Sequence, residues 1–215
     1  MSNVVRYVED GVLVFYVNHA ETVEKMTRLH DPHNFIRIPQ PHMTAAHVMG
    51  PPTGYDPTPI FFPDVEDTLE NRKHAMSQKD KTLCARYIAL MYVYCHQQGY
   101  QLGKITTKDI LIYTNAHFKD NFGIYLINVS SVSPFTENTG PVWTPADSVQ
   151  LTPTTIGTNA DADAYISLLT SFLHTDVLNP ETMRKVCIVR GVALWSNIFR
   201  FVGITEGFVQ SLPTR

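Results

Sequence analysis

Several things are scarce in this 215-residue sequence, and each shortage narrows what the chain can be. Charge is the first: charged residues make up 17% of the chain, and 17 Lys and Arg against 20 Asp and Glu leave a formal net charge of -3. A broad positive field is therefore missing, and sequence-independent binding to nucleic acid or to an anionic membrane has no electrostatic drive. Long apolar runs are missing too. The most apolar stretch, Leu83 to Cys95, is interrupted by Arg86 and falls short of the ~20 residues that a membrane span needs. Met1 to Asp10 holds no apolar segment of signal-peptide length, so the expectation is a soluble protein of the cytoplasm or nucleus.

Cysteine is nearly absent. Cys84, Cys95 and Cys187 make an odd set, and on one helix the first two would stand ~16 Å apart, beyond the reach of a disulfide. Buried, reduced thiols are expected. Glycine is sparse where a nucleotide-binding protein needs it: up to residue 50 the glycines are Gly11 and Gly50, so no closely spaced set brings backbone amides onto a phosphate. His30, His33, His42 and His47 cluster in sequence without a Cys-x-x-Cys or a helical His-x-x-x-His, and loop histidines with no metal are expected. Ser130, Ser131 and Ser133 have no paired base at a recognised spacing, so nothing points to a hydrolase triad.

What is present is 44% hydrophobic residues in a clear order of elements. Val4 to Val17 is two β-branched and aromatic runs joined by Asp10-Gly11, which predicts a hairpin. A short helix over Glu21 to Leu29, a strand Phe35 to Ile38, a strand near Met43 to Met49 and a proline-rich loop over 39 to 59 follow. Pro59 to Pro63 reads as extended, and Asp64 to Arg72 as acidic and helix-favouring. Ser77 and Asp80 have capping-box spacing ahead of Leu83, Tyr87, Ile88, Met91 and Cys95, which predicts a long amphipathic helix over about 79 to 98 closed by Gly99. Strands are predicted over Ile105 to Tyr113 and Gly123 to Val129, then a long loop over 136 to 156. A second helix is capped by Asn159 or Asp161, with Ala162, Tyr165, Leu169 and Phe172 on one face, and helix over Glu181 to about Phe201 comes last. Composition shifts near residue 62, from β-rich and proline-rich to helix-rich.

The sharpest motif is His96-Gln97-Gln98-Gly99-Tyr100-Gln101-Leu102-Gly103-Lys104-Ile105-Thr106-Thr107-Lys108-Asp109-Ile110-Leu111-Ile112, followed by a strand running into Asn128-Val129-Ser130. It resembles the protein-kinase fold, in which a helix ending His-x-x-Gly leads into His-Arg-Asp-x-Lys-x-x-Asn-Ile-Leu and then into a strand ending Asp-Phe-Gly. Other segments resemble kinase landmarks in the same order. Leu29 to Arg37 is similar to the connection after the small-lobe helix, Ile60 to Leu69 to the interlobe hinge, and Thr144-Pro145-Ala146 to the end of the activation segment. Asp163-Ala164-Tyr165 is similar to the start of the core large-lobe helix. A weaker similarity links Ile105 to Ile112 and Asn128 to Ser133 with herpesvirus-encoded kinases.

The resemblance implies an α+β, two-lobe fold: a reduced β-rich small lobe over 1-62 and a mainly helical, truncated large lobe over 63-215. It also implies a degenerate site. The catalytic base position is Lys104, which cannot take a proton while it carries one, and the phosphate-contacting lysine is Thr106. The metal-binding asparagine is Asp109, and the Asp-Phe-Gly carboxylate is Asn128, beside Val129 and Ser130. The strand Val12 to Val17 has no lysine. His96 is expected to anchor the loop backbone, and Lys104 to be a solvated turn lysine.

Three functions are carried forward from this reading. The first is a catalytically inactive pseudokinase without cofactor, a protein-interaction module that regulates, scaffolds or decoys a kinase or signalling partner. The second is a structural or assembly protein, such as a virion component engaged in host-virus contacts. The third is a nucleotide-binding protein of altered chemistry built on Lys104, Asp109 and Asn128. Oligomeric state is left open.

Overall fold

The computed structural model describes residues 4–9, 12–17, 58–62, 65–114, 122–126, 131–134, 159–172, 179–190, 192–193 and 195–212. The architecture is mixed α and β, with small antiparallel sheets and several helices. β1 (Val4–Glu9) and β2 (Val12–Val17) pair antiparallel from Val4↔Val17 to Glu9↔Val12, and β3 (Thr58–Phe62) adds to the other side of β2 with Phe15 opposite Ile60. The hairpin and the strand expected near residue 60 are both present. The expected helix over 21 to 29, the strands over 35 to 38 and 43 to 49, and the loops over 39 to 59 and 136 to 156 lie outside the described residues, as does Thr144-Pro145-Ala146.

The second sheet frames the loop of interest. β4 (Val65–Thr68) pairs with β6 (Ile110–Thr114), which pairs with β7 (Phe122–Leu126), in the order β4-β6-β7. The acidic stretch read as helix from Asp64 is therefore strand up to Thr68 and helix only over α1 (Leu69–Arg72). Ladder bonds to Leu111 and Ile112 outweigh local propensity there, and Asp67 accepts from the Thr68 amide and from Asn71 Nδ2 at the changeover. In β6, Tyr113 faces Gly123 across the ladder, and its ring stacks on Tyr125 with centroids 4.0 Å apart and planes at 11°. A Cβ on Gly123 would stand 2.4 Å from that tyrosine ring.

α2 (Gln78–Gln97) is the centre of the described core. Ser77 Oγ accepts from the Asp80 amide at 3.1 Å and donates to Asp80 Oδ2 at 2.7 Å, and Gly99, at φ +80°, takes the left-handed position just past the end. The limits match the sequence reading, but the amphipathic character does not. From Leu83 to His96 every side chain except Arg86 is buried, because α3 (Asn159–Phe172), α5 (Trp195–Val202) and β7 all close against this helix. Tyr165 Oη donates to the Ala85 carbonyl at 2.8 Å, and Trp195 sits among Tyr92, Tyr165 and Phe199 at 5.5, 5.5 and 5.9 Å between centroids. Arg86 reaches out instead, donating from Nε to the Val202 carbonyl at 2.7 Å and lying over the Phe208 ring.

The C-terminal part is not continuous helix. α4 (Pro180–Cys187), capped by Asn179, gives way to β9 (Ile188–Val189) and β10 (Val192–Ala193), and then to α5 and α6 (Glu206–Gln210). The β-branched pair Ile188-Val189 turns to strand and interrupts a helix that Glu181 to Phe201 otherwise favours. Among the described residues no helix is long and apolar enough to cross a membrane.

All three cysteines are free and buried. Burial pushes the Cys84 thiol far up, and pushes Cys187 up to about 11. At pH 8 a thiol at that value holds about 100-fold less thiolate than an ordinary cysteine. In a thiol titration with a disulfide reagent the folded protein is expected to show no fast-reacting cysteine, and the urea-unfolded protein three; one fast thiol in the folded state would contradict the packing.

Candidate functional site

Of the residues singled out by sequence, His96 meets a buried carboxylate, that of Asp161. Asp161, in the first turn of α3, lies at 1% side-chain exposure against His96 at 0%. Its Oδ2 is 2.7 Å from His96 Nε2 and accepts from the Leu102 amide at 2.8 Å, while Oδ1 accepts from the Gly103 amide at 2.8 Å. A carboxylate removed from water is stable only when its lone pairs are engaged, and three donors do that here. The imidazole at the end of α2 and the loop that follows are thereby tied to the start of α3. His96 anchors the loop backbone through Asp161, and its ring also meets Trp195 edge-on at 5.7 Å.

The loop is fixed from other sides as well. Tyr92 Oη donates to the Gly103 carbonyl at 3.0 Å, and Ser131 Oγ donates to the Leu102 carbonyl at 2.7 Å. β5 (Tyr100–Gln101) pairs with β8 (Ser133–Pro134), and Gln101 Nε2 donates to Ser133 Oγ at 3.1 Å. Gly103 has φ +76°, and a Cβ there would stand 2.9 Å from the Ser131 carbonyl oxygen, so neither conformation nor space admits a side chain at this position.

Beyond Gly103 the expected strand does not begin at Ile105. Ile105 and Thr106 are loop, Thr107–Asp109 form one 3₁₀ turn, and β6 starts at Ile110. The cause is Asp109, whose Oδ2 accepts from both the amide and the hydroxyl of Thr106 at 2.8 Å and so caps the turn. Lys104 and Thr106 are exposed and Asp109 is half-buried. Asn128, Val129 and Ser130 lie outside the described residues. Among the described residues no group of three or more His, Cys, Asp and Glu side chains is arranged to hold a metal.

Two site residues escaped the sequence reading. Asp161 was read as one of two helix caps, and Asp163 as the aspartate that opens the core helix; Asp161 lies in the first turn and is buried, and Asp163 is exposed. The helical wheel carries the signal: Asp161 stands four residues before Tyr165, on the apolar face, and Asp163 falls on the opposite side. The other is Glu70, which accepts from Thr107 Oγ1 and from Lys73 Nζ, the latter at 2.8 Å, and so fastens the 3₁₀ turn to α1. No protein-family model matches the sequence, and no curated protein matches it.

Replacing Asp161 with alanine strands His96 and two amides in a dry site and is expected to cost about 3–5 kcal/mol in urea unfolding. Asp163→Ala is expected to stay within ~0.5 kcal/mol of the parent; equal losses in the two variants would refute the assignment. A second expectation concerns acid. Bonds from Lys73 and Thr107 hold the Glu70 carboxyl below its ordinary value of 4.5, so its contribution is present above that pH and is lost as pH falls through the lowered folded value. Melting temperatures from pH 7 to pH 3 are expected to show Glu70→Gln below the parent at neutral pH, with the gap closing in acid; a gap that widens in acid would reverse the sign.

Proposed function

We propose that the chain is a non-catalytic, kinase-like interaction module, with a reduced small lobe over 1–62 and a large lobe over 63–215. One observation carries the reading: the loop aligned with a kinase catalytic loop is held in a defined shape, yet it presents Lys104 to solvent where proton transfer needs a base. The neighbouring residues point the same way. Asp109 spends one oxygen on the Thr106 cap, and Gly103 leaves no arginine beside the loop. Buried anchoring by Asp161 and His96 is the kind of support that preserves a surface, and the groups that phosphoryl transfer consumes are the ones replaced. The partner on this reading is a protein, such as a kinase or a viral or host assembly component, and the role is regulation, scaffolding or decoy.

Thermal shift with ATP and with GTP, each with and without Mg²⁺, tests this. A nucleotide at a hundred times its Kd stabilises a fold by about 2.7 kcal/mol, several degrees in a chain of this size. No shift is expected at millimolar nucleotide. A magnesium-dependent shift that disappears in Asp109→Ala, followed by transfer of label from γ-phosphate to a protein substrate, would replace the non-catalytic reading with an enzymatic one.

A further inference from the structure

The exposed large apolar side chains among the described residues are Val186 and Val189, at 46% and 45%, three residues apart where α4 turns into β9. Cations flank them. Arg184, Lys185 and Arg190 are all exposed, so seven consecutive residues carry three positive charges and no carboxylate in a chain whose net charge is -3. Lys185 is bridged to Glu181 at 2.8 Å, and both Lys185 and Arg184 complement the carbonyl end of α4. Arg190 lies past the helix and has neither of these reasons to be a cation. No ion pair within the described residues engages Arg184 or Arg190.

Arg190 is also held at a conformational cost. Val189 pairs with Val192, so Arg190 opens an Arg-Gly connection of two residues, and its φ is 52°. Such turns favour Asn, Asp or Gly at that position, because a branched-off side chain crowds the backbone in the left-handed region. A strained residue that a common alternative would relieve is one whose side chain has a use. The corner itself is firm: Met183 and Cys187 are buried beneath it, the Ile188 amide donates to the Arg184 carbonyl, and Asn197 Nδ2 donates to the Val186 carbonyl at 3.1 Å.

We propose that the α4–β9 corner, through Arg184, Val186, Val189 and Arg190, docks an acidic segment of a partner protein that sets aliphatic side chains beside its carboxylates. The two unpaired guanidiniums supply bidentate recognition of carboxylates, and the valines supply area that rewards an apolar neighbour. A nucleic-acid backbone is a poorer fit, since two free cations in a net-acidic chain neutralise few phosphates and no exposed aromatic in the corner offers a stacking face.

The test is an amide-shift NMR titration of the full chain with two short synthetic peptides, one alternating Glu with Leu and Val, the other with Gln at every Glu. The acidic peptide is expected to shift the amides of 184–190 and to bind about tenfold or more tightly than the Gln peptide, with a similar loss in Arg184→Gln/Arg190→Asn. Arg190→Asn alone is expected to raise the melting temperature while weakening the peptide, a split that a purely structural role would not give. The proposal is overturned by equal binding to parent and double variant, by shifts that map elsewhere, by no binding of the acidic peptide, or by a DNA duplex or anionic vesicle that takes the corner more tightly. None of these residues belongs to the 102–109 loop. Phosphoryl transfer that depends on Asp109 would sink the pseudokinase reading and leave this proposal standing, and a silent corner would do the reverse.

Discussion

Much of the described molecule is organised by a single carboxyl group that cannot reach water. Asp161 is fully buried, and its stability there depends on His96 and on the Leu102 and Gly103 amides. Satisfying that carboxylate requires the end of α2, the start of α3 and the loop between β5 and β6 to arrive together, so one polar requirement fixes three segments at once. The aromatic side chains of Tyr92, Tyr165 and Trp195 pack around the same junction and exclude the water that would otherwise compete for it. Apolar burial supplies the drive to collapse, and the hub supplies the register in which collapse stops.

That division explains what was readable in the sequence. The limits of α2 were legible because a serine cap and a terminal glycine are local chemistry, and the β1–β2 hairpin because alternation and Asp10-Gly11 are local too. What failed was decided at a distance. Ile105 and Thr106 have the composition of a strand, but Asp109 bends the chain into a turn first. Asp64 to Arg72 reads as acidic and helix-favouring as a whole, but β6 recruits Val65 to Thr68 into its ladder. Asp161 and Asp163 sit in one short acidic run; the helical wheel sets Asp161 on the apolar face of α3, and the packing of that face onto α2 makes it a buried anchor while Asp163 stays solvated.

The site has the same mixture. His96 closes the last turn of α2, and Lys104, Thr106 and Asp109 follow it along the loop, Lys104 and Thr106 on its surface. The motif did not announce which side chains would keep the loop's shape: a tyrosine from inside the core helix, a serine from the turn before β8 and a glutamate from α1. A loop supported from so many sides has little conformational freedom left to lose.

The sheet beside that loop carries a constraint of another kind. The Tyr113 ring occupies the space over Gly123 on its way to stack against Tyr125, so the two facing positions share one volume. A change at either position falls on the other: a methyl group at 123 displaces the ring, and a small residue at 113 leaves the glycine uncovered and the stack broken. In any set of diverged copies of this chain, positions 113 and 123 are therefore bound to covary, large with absent or small with present. The hairpin thus carries in two letters a signature by which a distant relative can be recognised after the rest of the sequence has drifted.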